Sequence, residues 1–276
     1  MEEQPLICVK IERSFVEFEL EMPENNENIL NLTDVPVSVG VKRGTRTVNE
    51  TREVESTISN QGMTLIEWIR HFGSLTMYFD VDFFVGLIEF DIQTFHDTLP
   101  KVRCLSITCL IDQPDENDIL EAQNLLRPFL PDVRHLQLNS VPLSENLSLQ
   151  HIGMANLKVL SFEYLSNVRF VDLCTCNAES IIIGKKGDQM SLVDLNRFFK
   201  LWITGSNPRL EELFIEWDTE TIPDWNILLK GLKAEIDDDE DEEGTKYFTI
   251  QNNRDISAEI KIHHSEDTAS VRFEII

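Results

Sequence analysis

Cysteine is scarce. The five in 276 residues, Cys8, Cys104, Cys109, Cys174 and Cys176, are an odd and scattered set, unlike the dense even framework of small secreted domains. A reducing compartment, cytoplasmic or nuclear, is the expected location. Cys174 and Cys176 form the one close pair, and without a second pair or a histidine cluster at zinc-site spacing they read as buried free thiols. Long apolar runs are missing as well. The most apolar stretch, Phe83 to Ile88, lies between Asp82 and Glu89, far short of the roughly 20 residues of a bilayer span. The opening Met1-Glu2-Glu3-Gln4-Pro5 lacks the basic and apolar regions of a secretory signal, so a soluble chain starting there is expected. Asn31, Asn49 and Asn146 head N-x-S/T triplets, which carry no meaning in such a chain.

Basic residues are also few. Lys and Arg number 24 against 49 Asp and Glu, giving a net charge of −25 and a pI near 4.5. Such a field repels polyanions, so neither nucleic acid nor an anionic membrane is an expected partner. Eight of the acids fall in residues 235–243, and without that block the charge is −17 (−25 + 8). A run of like charges repels itself and reads as a solvated acidic loop.

Enzyme signatures are absent: the sequence holds no G-x-G-x-x-G, P-loop, H-E-x-x-H or G-x-S-x-G. His71, His96, His135 and His151 are solitary, and His263-His264 would point to opposite faces of a strand. Asp112, Asp115, Glu116 and Asp118 are similar to a cation loop but lack the central glycine and terminal glutamate of an EF-hand. Trp202, Trp217, Trp225, Phe198, Phe199 and Phe214 read as core packing before they read as a ligand box. No catalytic, cofactor-binding or metal residue is therefore assigned, no cofactor is expected, and the chain is not expected to be an enzyme. The binding residues are left open.

Periodicity supplies the positive evidence. Residues 6–20 alternate apolar and charged with period two, as do 35–41 with Pro36 at an edge, so the first 60 residues read as a β-rich segment. Residues 42–62 are polar and suit an exposed loop or weak hairpin. Thr64-x-x-Glu67 before Leu65, Trp68, Ile69 and Phe72 predicts a helix over 65–72. From there one phrase recurs: apolar, two arbitrary, apolar, one arbitrary, apolar. Its five copies open at Val102, Val133, Leu157, Ala178 and Leu210, at intervals of 31, 24, 21 and 32 residues. Those intervals bracket the roughly 20–29 of leucine-rich repeats but are irregular.

Leu99-Pro100, Leu130-Pro131 and Asn207-Pro208 precede three copies, where proline marks a helix-to-strand junction. Helices are expected from a cap at Asp118, with Pro128 stopping the regular hydrogen bonding, and from Ser191 to Trp202, with Gly205 beyond its end. Strands are expected over 247–250, 258–262 and 271–275. The fold class is α/β: a short, irregular leucine-rich-repeat-like array of parallel strands and helices over 61–276, with antiparallel strands at the N-terminal end of the chain and closing strands at the C-terminal end.

Within that pattern, Asp194-Leu195-Asn196-Arg197-Phe198-Phe199-Lys200-Leu201-Trp202-Ile203-Thr204-Gly205-Ser206-Asn207-Pro208-Arg209-Leu210-Glu211-Glu212-Leu213 resembles the signature of the F-box associated domain, type 2, of the nematode F-box protein family. Weaker similarity surrounds Asp91-Ile92, Val133 to Leu136, Val171-Asp172-Leu173 and Leu228 to Leu232. The resemblance implies a non-catalytic module that selects a protein target for a Skp1-cullin-F-box ubiquitin ligase. An F-box, which binds the Skp1-type adaptor, would open with a Pro- and Leu-rich helical segment. This chain enters strand alternation by Leu6, so an F-box is not expected in it, adaptor binding is in doubt, and a standalone binder or competitor is the alternative.

Overall fold

The computed structural model describes the backbone of residues 6–11, 14–21, 38–47, 50–58, 62–74, 79–86, 91–99, 101–111, 114–141, 149–163, 170–186, 191–219, 221–237 and 244–276, and its side-chain detail begins at residue 62. Among these residues the architecture is mixed α/β, and the chain divides into two units. Unit 1 is Met1–Leu136 with Val141–Leu143; unit 2 is Gln137–Ser140 with Ser144–Ile276.

Unit 1 opens with four antiparallel strands, β1 (Leu6–Ile11), β2 (Ser14–Glu21), β3 (Ser38–Thr47) and β4 (Glu50–Ile58). The β1–β2 register sets Ile7 opposite Phe18 and Val9 opposite Val16, as the alternation requires. The third strand lies later than expected: Val35 to Val37 fall outside the described residues, and the pairing runs on to Thr47. The polar segment expected to be a loop or weak hairpin supplies β4, whose charged residues suit an edge.

Helix α1 (Leu65–Gly73) starts where predicted. The Thr64 hydroxyl accepts the Glu67 N–H at 3.3 Å, and Glu67 Oε2 accepts the Thr64 N–H at 2.8 Å, which holds the Glu67 carboxyl below its usual range. Strand β5 (Phe79–Phe84) pairs antiparallel with β1 and parallel with β6 (Val102–Thr108), and helix α2 (Ile92–Thr98), capped by Asp91, lies between β5 and β6 in sequence.

Helix α3 (Glu116–Phe129) corrects two expectations. Its cap is Asp115, which accepts the N–H groups of Asn117 and Asp118, while Asp118 serves as the reciprocal third residue by accepting the Asp115 N–H at 2.7 Å. Nor does Pro128 end it. The missing N–H falls in the last turn, where it orphans only the carbonyl of Asn124, a residue on the exposed side of the helix, and Leu130 still donates to Leu126. Phe83 meets Phe95 and Phe129 at 5.8 and 5.5 Å in the core of this unit.

Strand β7 (His135–Asn139) is divided between the units. In unit 2, α4 (Leu149–Gly153), β8 (Val159–Glu163), α5 (Phe170–Thr175), β9 (Ser180–Lys186), α6 (Leu192–Ile203) and β10 (Glu212–Asp218) alternate, and β8, β9 and β10 pair in parallel. Every apolar residue of the five phrases is buried, from Val102, Leu105 and Ile107 to Leu210, Leu213 and Ile215. Helix α6 begins at the Ser191 cap, and Gly205 beyond its end holds φ +100°. Its stripe carries Phe198, Phe199 and Trp202 inward, where Phe199 stacks on Phe273 at 5.6 Å and Trp202 meets the same ring edge-on at 4.9 Å.

The short α7 (Trp225–Leu229) follows, and then β11 (Glu235–Asp237), β12 (Lys246–Gln251), β13 (Ser257–His264) and β14 (Thr268–Ile275) close the unit in the order β10-β14-β13-β12-β11, all antiparallel. The acidic block is thus not wholly a loop: Glu235 to Asp237 pair with β12, because a strand needs only backbone partners there, while residues 238–243 lie outside the described residues.

Candidate interaction face

A strand with period-two burial has two sides. In unit 2 the phrases send one side of β8, β9 and β10 into the core against α6, and the other carries half-buried side chains: Ser161 and Glu163 on β8, Ser180, Ile182 and Gly184 on β9, and Glu212, Phe214 and Glu216 on β10. Register extends this open side in rows. Ser161, Ile182, Phe214, Arg272, Lys261 and Tyr247 lie in line, and Val159, Ser180, Glu212, Glu274, Glu259 and Thr249 form the row beside them.

The two cations of the first row pair with the three acids of the second. Arg272 meets Glu212 at 2.7 Å and Glu274 at 3.0 Å, and Lys261 meets Glu274 at 2.7 Å and Glu259 at 3.1 Å. The Lys261 hydrogen bond holds the Glu274 carboxyl below its usual range, and the same bond raises the lysine. Lys261 also lies 5.9 Å from the Tyr247 ring centroid.

A second polar cluster builds the ends of this array. Asn207 holds φ +50° and its Nδ2 donates to the carbonyls of Leu173 and Cys176 at 3.2 and 3.0 Å, tying the α6–β10 turn to the end of α5. Arg209 donates to Asn156 Oδ1 at 2.8 Å and Glu179 Oε1 at 2.7 Å, and Asn177 donates to the same Asn156 oxygen at 2.8 Å. Buried Asn196 donates to the carbonyls of Leu228 and Lys230 at 2.7 and 2.9 Å. The Asp194-Leu195-Asn196 and Asn207-Pro208-Arg209 phrases are therefore hydrogen-bonding clamps between successive segments. Sequence reasoning missed both roles. An asparagine one position from Leu195 on an apolar stripe was the available signal for Asn196.

The other residues weighed for chemistry are dispersed. His96 bridges Asp97 at 3.2 Å and Asp132 at 3.3 Å while standing edge-on to Phe129. His71 is exposed beside Trp68, His135 is half-buried at the start of β7, and His151 is exposed on α4. His263 and His264 are successive strand residues; His263 reaches the Thr245 hydroxyl at 3.4 Å, and His264 Nε2 is buried without a protein partner. Asp115 and Asp118 are spent on the α3 cap, Glu116 is that helix's first residue, and Asp112 lies outside the described residues. Phe198, Phe199, Trp202 and Trp217 are core and Trp225 is half-buried, but Phe214 departs from the core expectation and stands on the open side.

The described thiols are all free. Burial pushes Cys174 and Cys176 up, with Asp194 adding to the first, and burial with the carboxylates of Asp80 and Asp82 takes Cys104 to about 11. Among the described residues no three His, Cys, Asp or Glu converge as metal ligands, and no helix is long and apolar enough to cross a membrane.

Against this geometry, residues 148–215, which run from α4 through β10, match the family model described as F-box associated. Residues 148–215 are therefore similar to the F-box associated family. The resemblance drawn from residues 194–213 is borne out, since the phrase falls almost at the end of the matched range. The F-box associated domain-containing protein sdz-33 of Caenorhabditis elegans is 24% identical over 159 residues, 58% of this chain and 47% of that protein, so the chain spans about half the length of this relative. Among solved structures, a methyltransferase from Clostridium acetobutylicum described as S-adenosylmethionine-dependent is 10% identical over 70% of this chain and 66% of its own, at a TM-score of 0.18, too low to carry any argument.

Proposed function

We propose that the chain is a non-catalytic protein-interaction module built as a short, irregular leucine-rich-repeat-like array, the part of a Skp1-cullin-F-box ubiquitin ligase that selects the protein to be modified. The F-box associated match over residues 148–215 carries this reading. Two physical features support it. The clamps of Asn196, Asn207 and Arg209 hold neighbouring strand–helix segments in fixed register, which makes the open side of the strands a rigid platform. The Cys104 thiol, pushed up to about 11, is protonated near neutral pH and is a poor nucleophile.

The test is recruitment of a Skp1-type adaptor. The chain fused to an F-box is expected to precipitate adaptor and cullin together and to speed the turnover of any protein bound to this module. Absence of the adaptor from that precipitate removes the ligase part. A bound target whose turnover stays level or falls when the chain alone is expressed supports the competitor reading instead.

A further inference from the structure

On the open side of unit 2 one position is left bare that the fold does not require to be bare. Gly184 lies inside β9, opposite Glu163 of β8. It is not among the positive-φ glycines, and a Cβ there would meet only Glu163 Cγ at 3.7 Å and the Phe162 carbonyl at 3.9 Å, both ordinary contacts. Glycine weakens a strand interior, and a position with neither a turn nor a clash to explain it fits close approach by another backbone or a ligand.

The neighbouring strand changes at the same level. Ile215 pairs with Ile183 but Trp217 pairs with Lys186, so the β9–β10 ladder slips and Glu216, paired with Ser270 on its other side, has no partner on β9. Bulges of this kind re-aim a side chain and gather near functional sites. One pleat away, Ile182 and Phe214 pair directly and form a half-exposed apolar floor.

Charge distinguishes this notch from the rest of the face. Glu212, Glu259 and Glu274 are each ion-paired with Arg272 or Lys261, whereas Glu163 and Glu216 have no ion pair among the described residues. Their strands stand two spacings apart, about 10 Å. Two carboxylates with no ion pair among the described residues, over an apolar floor, complement a cation on an apolar stem, and the net charge of −25 steers basic partners toward it.

We propose that this notch receives an arginine or lysine side chain from an extended segment of a partner protein, its stem on Ile182 and Phe214 and its charged head between Glu163 and Glu216. The planar guanidinium, able to donate to both carboxylates, is the better fit. This inference rests on the interaction-module reading above.

The test is selection of a phage-displayed random peptide library on the full chain, followed by fluorescence-polarisation titration of the winning peptide. The selected sequences are expected to centre a basic residue among apolar ones. The double variant Glu163→Gln/Glu216→Gln is expected to bind about tenfold more weakly or worse, as is a peptide with citrulline in place of arginine. Gly184→Val is expected to weaken binding without lowering the thermal midpoint, since valine favours strands. A library that yields no binder, a consensus without a basic residue, or equal binding by the double variant overturns the proposal. Adaptor recruitment by the F-box fusion does not depend on Glu163 or Glu216, so the module reading and this inference fail separately.

Discussion

Two turns of similar sequence lead from a helix into a strand and are held in different ways. In unit 1, Leu130-Pro131-Asp132 leaves α3 with its own backbone: the N–H groups of Asp132 and Val133 both reach the Phe129 carbonyl, and the side chain of Asp132 makes an exposed pairing with His96 at 3.3 Å. In unit 2, Asn207-Pro208-Arg209 leaves α6 by reaching into the segments before it, to Leu173, Cys176, Asn156 and Glu179. Proline directly follows the Leu130 cap in the first, denying α3 its next N–H, whereas α6 has already ended at Ile203 with its Thr204 cap when Pro208 is reached. What differs is whether the flanking side chains are spent on the turn itself or on its neighbours, and only the second kind makes one segment's geometry depend on another's.

Substitutions turn that contrast into a ranking. Asn207→Ala should cost the most, about 3 kcal/mol, because it leaves two carbonyls unpaired and forces a Cβ without a compensating amide into a positive-φ backbone. Asn207→Gly keeps the backbone comfortable and should cost about 2 kcal/mol, isolating the hydrogen bonds. Arg209→Ala removes a partly exposed pair and should cost about 1 kcal/mol. Asp132→Ala, at the self-contained turn with its side chain 63% exposed, should cost about 0.5 kcal/mol or less. Denaturant titration followed by tryptophan fluorescence reads all four, with Trp202, Trp217 and Trp225 reporting on unit 2 and Trp68 on unit 1. A loss at Asp132 equal to that at Asn207 would erase the distinction.

Local chemistry was legible in the sequence where it repeats or caps. The five phrases announced β6 to β10, every apolar position of the phrases is buried, and Thr64, Ser191 and Gly205 marked helix ends correctly. Short or polar elements were not legible. Helices α4 and α5 have five and six residues, too few to show a period, and α2 has seven. Strand β5 interleaves Phe79, Val81 and Phe83 with Asp80 and Asp82, residues depleted from strands, and Asp80 is accommodated by the guanidinium of Arg103 across the ladder. In β4 the residues carry charge because an edge is tolerated through its hydrogen bonds to β3, not through an apolar side. The candidate face was the least legible part. Phe214 looks like a core aromatic in the sequence, and only the side chosen by α6 decides that it is not.

The place of β14 in the sheet bears on how the protein is made. Strand β14 leaves the ribosome after both β10 and β13, yet it stands between them. Until residues 268–275 emerge, β10 keeps a bare edge, and Phe199 and Trp202 wait for Phe273. Vectorial synthesis therefore exposes, for a time, an unpaired strand and an aromatic stripe, the two surfaces that recruit chaperones or neighbouring nascent chains. A premature stop at codon 268 would leave that edge and that aromatic stripe bare and yield a client of quality control.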